Sequence, residues 1–334
     1  MPTAVNLGPT RVEDEDLTVE ASIRFSNRGH YFYSDASDRT PRASEITGPL
    51  SVIYQVTRRC NFDCDFCSET EQMTDPTLDE IAKIEANLGG VPRVFLSGGE
   101  PLIRRDFVEV LDLFSNRVVA VPTNATRGQH LAAKIAGKVA FMNIGIEGPR
   151  ATTNRVRGDY DKVLRGTRAF IENGIPISIS AVVMRSELEA LPYTYQIADV
   201  LGAGKLKLIH PIRKGNGINL ADEEFLTLDE SAQLFADLGQ LRDRYEWSPA
   251  LRMTTWSKDT EGYSILVFPD GRAWAWPVFG GIAESGEQGG PADKVEYLGD
   301  LSNEPMSEIW KRYRFKDNHI RKYLGKSIMV SPHG

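Results

Sequence analysis

The residues best suited to chemistry are Cys60, Cys64 and Cys67, the only three cysteines in the 334-residue chain. An odd set of cysteines within one short segment is a poor disulfide framework and a good metal site in a reducing compartment. A [4Fe–4S] cluster usually takes four thiolates, so three thiolates leave one iron open to another ligand. The spacing therefore predicts a single iron–sulfur cluster with a free coordination position.

A zinc site is the alternative interpretation of the same thiols, because zinc also takes closely spaced cysteines. Structural zinc sites normally add a second cysteine pair or histidines. The next histidine along this chain is His130, which lies in a predicted helix. A non-enzymatic protein that senses or carries iron–sulfur or zinc therefore stays open as an alternative.

Composition and charge narrow the classes of partner. The chain has 41% hydrophobic and 25% charged residues, which is ordinary for a globular protein. Its formal net charge of -7 and the absence of a basic cluster disfavour nucleic acid. The acidic N-terminus does not resemble a signal peptide, and no apolar run is long enough for a membrane span. We therefore expect a cytoplasmic protein with no nucleic-acid or membrane partner.

The elements that must position the cysteines follow an α/β pattern. From Leu50 onward, short β-branched runs alternate with longer amphipathic stretches, which is typical of a parallel sheet built from β-α units. The sequence predicts six strands, at residues 51–57, 94–98, 118–123, 141–146, 177–183 and 205–209. We predict a partial (β/α)6 barrel, with the cysteines after its first strand, at the edge where such barrels build active sites.

Three regions are expected along the chain. Residues 1–47 are polar and turn-rich and are interpreted as an N-terminal extension with a short ribbon near residues 28–35. Residues 48–215 form the partial barrel, and residues 216–334 form a small α+β C-terminal subdomain. That subdomain is predicted to contain a helix over 227–245, strands within 263–281, a loop at 284–291 and a last helix near 306–315.

Two motifs together resemble the radical SAM superfamily, whose members use S-adenosylmethionine (SAM). The first is the Cys-x3-Cys-x2-Cys spacing, with the aromatic Phe66 before its last cysteine. The second is Ser-Gly-Gly-Glu-Pro at residues 97–101, at the end of the second predicted strand. The resemblance runs from about Leu50 to Phe315 and implies a radical SAM barrel whose cofactors are one [4Fe–4S] cluster and SAM.

The resemblance also assigns SAM-binding residues at the strand ends. Glycines let a backbone approach a ligand closely, and Glu100 can accept hydrogen bonds from the methionyl ammonium of SAM. By likeness to later family motifs, Arg157 pairs with the SAM carboxylate and Glu147 lies near the ribose or substrate. Many relatives have serine in place of Gly145 and aspartate in place of Glu147. The expected cofactor-binding residues are Phe66, Ser97, Gly98, Gly99, Glu100, Pro101, Thr123, Asn124, Glu147 and Arg157.

The region after residue 266 resembles the C-terminal module called SPASM, which normally binds auxiliary iron–sulfur clusters through cysteines. This chain has no cysteine there, and Trp276 stands where a cysteine is usual. The likeness therefore implies a degenerate module without auxiliary clusters. Because such clusters often accept an electron from a substrate radical, we expect redox-neutral or reductively quenched chemistry, such as decarboxylation, dehydration or epimerisation.

Relatives with one cluster favour a substrate that is a sugar or nucleoside in antibiotic biosynthesis, with the cytosylglucuronate decarboxylase type as the most specific hypothesis. The chemistry implies an electron donor such as flavodoxin or ferredoxin. A peptide-modifying maturase is the alternative enzyme, disfavoured because residues 1–47 show no evident peptide-binding domain. Substrate binding or proton transfer is expected from residues near later strand ends, where ordinary structural roles are the competing interpretation: Arg185, Lys207, His210 and Arg213.

Overall fold

The structure is a computed structural model that describes residues 48–256, 260–278 and 296–321, together with the backbone of two short N-terminal strands. Those strands, β1 (Ser22–Phe25) and β2 (Tyr31–Ser34), pair in antiparallel fashion. The second of them lies in the ribbon that the sequence predicts. The rest of residues 1–47 lies outside the described residues, so the N-terminal extension stays a prediction.

The six predicted barrel strands are all present and pair in sequence order as a parallel sheet. Parallel neighbours need a crossover connection, which the helices between them supply. The α/β class is therefore confirmed, and each strand end lies within one residue of its predicted position. The bounds are β3 (Ser51–Thr57), β4 (Arg93–Gly98), β5 (Val118–Thr123), β6 (Phe141–Gly145), β7 (Ile177–Val182) and β8 (Lys205–Ile209).

Helices connect the strands and cover the outer face of the sheet. The first begins at a capping box, in which Thr77 and Glu80 each accept a hydrogen bond from the backbone N–H of the other. No helix in the described part of the chain has the length and apolarity that a membrane span requires. The barrel helices are α1 (Leu78–Leu88), α2 (Phe107–Leu113), α3 (Gly128–Ile135), α4 (Arg150–Val156), α5 (Tyr160–Glu172) and α6 (Leu191–Val200).

Beyond residue 215 the chain adds strands to both edges of the same sheet. One strand pairs parallel to β8, another pairs parallel to β3, and two more continue antiparallel beyond that one. The elements are α7 (Leu228–Tyr245), β9 (Ala250–Thr254), β10 (Ser264–Val267), β11 (Arg272–Trp276), β12 (Glu296–Asp300), α8 (Met306–Arg312) and α9 (Lys316–Arg321). The predicted helix over 227–245 is confirmed, and the predicted loop at 284–291 lies outside the described residues. Strands from both sides of residue 215 share one sheet, so the sheet does not mark a domain boundary there. The boundary at 215 therefore stays a prediction.

The sheet curves into a partial barrel. Trp256 follows β9 and Trp276 ends β11, and seven strands separate β9 from β11 in the sheet order. Adjacent strands lie about 4.8 Å apart, so a flat sheet would hold these two strands about 38 Å apart. The two indole rings instead lie edge to face, with their centroids 5.4 Å apart. The two sides of the sheet therefore meet at this contact, which we call the tryptophan seam.

The two faces of the curved sheet differ in polarity. On the outer face, Val94 and Leu208 are fully buried in the core that the strands share with the helices. Alternate residues face inward, and there Ser178 Oγ donates to Asn143 Oδ1 at 2.8 Å while Asn143 Nδ2 donates to Ser180 Oγ at 3.3 Å. The interior of the barrel is therefore suited to a polar ligand.

Candidate functional site

The cysteine loop, residues 58–69, follows the carboxyl end of β3. Cys60 is exposed, Cys64 is buried and Cys67 has intermediate exposure. The Cys67 N–H donates to the Cys64 carbonyl at 3.0 Å, which closes a tight turn between the two residues. The Phe62 N–H lies 3.4 Å from Cys60 Sγ. The loop thus presents three free thiols at one edge of the sheet, one of them open to solvent.

Asn216 holds this loop from a distant part of the chain. Its N–H donates to the Cys67 carbonyl at 2.8 Å, and its Nδ2 donates to the Cys64 carbonyl at 3.0 Å. The preceding Gly215 has a φ of +59°, and a Cβ there would lie 2.5 Å from the Cys67 carbonyl oxygen. Local sequence patterns do not predict this contact, although the Gly-Asn-Gly run at 215–217 is a turn signal.

Burial raises the pKa of all three thiols, and it raises that of Cys64 to about 12. The Arg157 guanidinium partly opposes the effect at Cys64 and Cys67. Metal binding must therefore displace protons from these groups. Among the described residues, no three His, Cys, Asp or Glu side chains converge on a point that suits a single metal ion. The loop offers three separate thiols rather than a closed mononuclear site.

The loop at 97–101 packs against the backbone that leads into the cysteine loop. The Gly99 N–H donates to the Thr57 carbonyl at 3.0 Å, and the Glu100 N–H donates to the Arg59 carbonyl at 2.8 Å. A Cβ at Gly98, whose φ is +146°, would lie 1.9 Å from the Thr57 carbonyl oxygen. The glycines are therefore required by contact between two protein backbones. Their approach to SAM stays a prediction, as do the SAM contacts predicted for Ser97 and Pro101.

Glu100 is almost fully buried where these loops meet, with 1% of its surface exposed. Its Oε1 accepts from Thr123 Oγ1 at 2.7 Å and from the Leu102 N–H at 3.0 Å, while Oε2 accepts from the Asn124 N–H at 2.6 Å. Burial raises the pKa of Glu100 to about 7, although these donors oppose the shift. Glu100 thus joins the 97–101 loop to the end of β5. Its contact with the SAM amine stays a prediction.

Asn124 connects the end of β5 to the cysteine loop. Its Nδ2 donates to Asn61 Oδ1 at 2.9 Å, and Asn61 Nδ2 donates to Thr126 Oγ1 at 3.0 Å. Asn61 lies between the first two cysteines, so this pair of bonds fixes the loop relative to the sheet. The structure thereby brings together the cysteines, Glu100, Thr123 and Asn124, which the sequence assigns to one site.

Arg157 lies between the cysteine loop and the end of β6. Its guanidinium pairs with Glu147, with Nε 3.1 Å from Oε1, and lies 5.0 Å from the ring centroid of Phe66. A Cβ at Gly145 would lie 2.4 Å from Arg157 Cζ. The two departures from the family pattern, Gly145 and Glu147, are therefore linked, because one leaves room for the guanidinium and the other binds it. Burial raises the pKa of Glu147 and the arginine opposes this.

Two of the residues proposed for substrate binding are engaged elsewhere. Arg185 donates to Glu230 at 2.8 Å and to the Glu223 carbonyl at 2.6 Å. Arg213 forms an ion pair with Asp222, and its guanidinium lies 4.1 Å from the Phe225 ring centroid. These contacts tie both arginines to the segment that leads into α7. The geometry gives them a structural role, and a substrate role for them stays a prediction without support from these contacts.

The other two proposed residues lie on or just after β8. His210 is buried, its Nε2 has no hydrogen-bond partner, and burial lowers its pKa to about 4. It is therefore a neutral imidazole across the physiological range. Lys207 lies opposite Arg252 of β9 in the parallel ladder, and Ser180 pairs with Lys207 from the other side. Lys207 thus lies on the polar inner face of the barrel.

Part of this chain is similar to a known protein family. Residues 54–192 match the model of the Radical SAM superfamily. The pre-heme d1 synthase of Dinoroseobacter shibae is 29% identical over 206 residues, which are 56% of this chain and 50% of that protein. The PqqA peptide cyclase of Rhodopseudomonas palustris is 30% identical over 176 residues, which are 48% of this chain and 46% of that protein. The matches thus span about half the length of these curated relatives.

Solved structures share the fold at low sequence identity. Streptococcus suis SuiB bound to the precursor peptide SuiA aligns with a TM-score of 0.64 and 12% identity, covering 82% of this chain and 67% of that chain. The protein anSMEcpe with bound AdoMet aligns with a TM-score of 0.63 and 15% identity, covering 82% of this chain and 83% of that chain. At these identities the likeness establishes the fold alone.

Residues 54–192 of this chain are therefore similar to the radical SAM superfamily, and the fold matches that of the solved structures. No cysteine follows Cys67 in the sequence. The cofactors of this family are SAM and an iron–sulfur cluster. The residues present fit both. Three thiols on one loop match a cluster with an open iron, and Glu147 Oε2 is a buried oxygen without a hydrogen-bond partner beside Arg157.

Proposed function

We propose that this chain is an enzyme whose iron–sulfur cluster is held by Cys60, Cys64 and Cys67. The main support is that the only three cysteines of the sequence lie on one loop at the carboxyl edge of a curved parallel sheet. Backbone hydrogen bonds join the start of this loop to the 97–101 loop. When bound there, the reduced cluster and SAM supply a 5′-deoxyadenosyl radical that abstracts a hydrogen atom from substrate.

The residues of the chain bind, orient and shield that chemistry. Asn124 and Asn216 hold the cysteine loop, the former through Asn61 of that loop. Glu100 joins the loop that follows β4 to the residues at the end of β5. Arg157 places a positive charge beside the site for the carboxylate of SAM. The tryptophan seam closes the side of the barrel and limits the access of water.

The finer proposal is that the substrate is a sugar or nucleoside that undergoes decarboxylation, dehydration or epimerisation in antibiotic biosynthesis, as in a cytosylglucuronate decarboxylase. Two observations support it. The chain has no cysteine after Cys67, so its own thiols supply no auxiliary cluster to accept an electron. The inner face carries Asn143, Ser178 and Ser180, whose amide and hydroxyls suit the hydroxyl groups of a sugar. Flavodoxin or ferredoxin is the proposed reductant, and the reducing cytoplasm the proposed location.

A peptide substrate is the second candidate. Its support is that the similar proteins include the PqqA peptide cyclase and the structure of SuiB with a precursor peptide. An extended peptide would need a free strand edge or groove, whereas a nucleoside needs only the interior of the barrel. The two candidates therefore differ in which compound stimulates turnover.

The decisive experiment measures SAM cleavage under anaerobic conditions. The protein is reconstituted with iron and sulfide, reduced with dithionite and given SAM, and 5′-deoxyadenosine is measured by chromatography. We expect the product from the wild type and from the exposed control Ser115→Ala, and none from Cys64→Ala. Iron binding without SAM cleavage would contradict the enzyme and leave the metal-binding alternative. Uronic-acid nucleosides and short peptides are then compared by the additional 5′-deoxyadenosine that each produces.

A further inference from the structure

Three cations line the inner face of the sheet at its β8–β9 edge: Lys205, Lys207 and Arg252. Lys207 lies opposite Arg252 in the parallel pair, and Lys205 is one inward position earlier on β8. Leu206, which lies between the lysines, is fully buried on the outer face. Because side chains alternate along a strand, both lysines face inward. Leu251 is likewise buried in the outer core, so Arg252 faces inward as well.

No carboxylate balances Lys205 or Arg252 within the described residues. Strands β6 to β9 contain no aspartate or glutamate. The hydrogen bond that Arg252 makes to the described residues goes to the Leu251 carbonyl, at 2.9 Å. Burial lowers the pKa of Lys205, and the charges of Arg93 and Arg252 lower it further. Neighbouring positive charges repel each other, and an anion that binds between them stabilises them. The arrangement of these cations therefore favours the binding of an anion.

Within the described part of the chain, the side chains beside these cations are not fully buried. In a closed (β/α)8 barrel, layers of branched side chains fill the interior. Here Phe95 and Phe141 lie on the inner face with their ring centroids 6.3 Å apart, and Lys205 Nζ lies 5.6 Å from the Phe141 centroid. Both rings and Lys205 are only half-buried, and Arg252 is exposed. A ligand can therefore reach the cations.

The same row of the sheet leads to the candidate SAM site. Gly145 pairs with Ser180, Ser180 pairs with Lys207, and Lys207 pairs with Arg252. At about 4.8 Å per strand, the backbone of Lys207 lies about 10 Å from that of Gly145. The Arg157 guanidinium occupies the space that a side chain at Gly145 would fill. A molecule along this row would have one end at the cations and the other beside Arg157.

We infer that Lys205, Lys207 and Arg252 bind an anionic group, a carboxylate or a phosphate, at one end of an elongated substrate. The inference rests on the proposed function, because it puts the reacting end of that substrate near the candidate SAM site. That site begins about 10 Å from the backbone of Lys207. Lysine and arginine form charge-assisted hydrogen bonds with both groups. A substrate that offers only neutral groups leaves Lys205 and Arg252 without a counter-charge among the described residues.

The test measures the binding of three matched probes by isothermal titration calorimetry: glucuronate, glucose 6-phosphate and neutral glucose. The reconstituted full chain is used as wild type, as Arg252→Gln and as Lys205→Gln. Arg242→Gln is the matched control, because Arg242 pairs with Asp243 at the surface of α7. Arg252→Lys keeps the charge, so its binding separates charge from folding effects.

We expect at least one anionic probe to bind and glucose not to bind. Arg252→Gln and Lys205→Gln should each weaken the anion about tenfold or more, the value of one charge-assisted hydrogen bond. Arg242→Gln should bind as the wild type does, and Arg252→Lys should restore most of the affinity. The anion that binds more tightly shows whether the site prefers a carboxylate or a phosphate.

Failure of both anions to bind the wild type would overturn the inference, as would an equal loss in the Arg242→Gln control. Arg252→Gln that binds the anion as well as the wild type would overturn it too. The result is separable from the proposed function. Absence of 5′-deoxyadenosine with intact anion binding contradicts the enzyme alone, whereas SAM cleavage without anion binding contradicts the anion site alone.

Discussion

A single methyl group at position 145 should dislodge Arg157. The Cβ of Gly145→Ala would lie 2.4 Å from Arg157 Cζ, far inside van der Waals contact, so the guanidinium must move. This movement breaks the ion pair with Glu147, whose side chain is 1% exposed. Loss of one partner from a buried ion pair costs about 3 kcal/mol or more. We therefore expect the free energy of unfolding to fall by about 3 kcal/mol, less whatever protonation of Glu147 recovers.

Urea unfolding of a double-mutant cycle tests this reasoning. The neutral amide of Glu147→Gln needs no cation, so Gly145→Ala should cost much less in that background. The expected coupling between the two positions is at least about 1 kcal/mol. Gly90→Ala is the matched control, since a Cβ there meets nothing within 4 Å. A Gly145→Ala protein as stable as the wild type, or additive effects in the cycle, would refute the link between these residues.

Three further predictions concern the loops around the site. Burial raises the pKa of Glu100 to about 7. Between its ordinary acid pKa and pH 7 the folded state therefore keeps a proton that the unfolded state has lost, so stability falls by about 3 kcal/mol as pH rises. Glu100→Gln should remove that slope in urea midpoints measured across this range, and an unchanged slope would contradict the assignment. Asn216→Ala loses the bond to the Cys64 carbonyl, worth about 1 kcal/mol, and should retain less iron after a chelator challenge than Asn87→Ala, which loses a carbonyl bond elsewhere. Gly98→Ala, with its Cβ 1.9 Å from the Thr57 carbonyl oxygen, should lower the melting temperature far more than Gly90→Ala, and similar melting temperatures would show that the backbone contact is not required.

The barrel and the cysteine loop could be predicted from the sequence because both follow from local patterns. The β-branched runs set the strands to within one residue, and the parallel pairing follows from the helices between them. The sequence does not predict β9, and it assigns the region of β10 to the C-terminal subdomain rather than to the barrel sheet. They are short, with sequences Ala-Leu-Arg-Met-Thr and Ser-Ile-Leu-Val, and their neighbours are set by the closing of the barrel rather than by local spacing.

The partners of the site residues could not be predicted, since they depend on contacts between distant segments. Arg185 and Arg213 carry charge near strand ends, but the acids that engage them come from the first turn of α7 and from the segment before it. Glu100 is assigned to SAM by its motif, whereas its oxygens are occupied by donors from the end of β5 and from its own loop. A motif therefore fixes the position of a residue at the site without fixing its bonds.

The tryptophan seam changes what the C-terminal region contributes. Trp276 packs with Trp256, Ile209 and Ile212 on the side where the sheet closes. Ile209 is the next inward residue after Lys207 on β8, about 7 Å along the strand. The seam and the cations are thus neighbouring walls of one interior. In this chain the C-terminal region therefore helps to shape the interior of the barrel, so substrate specificity should respond to substitutions there.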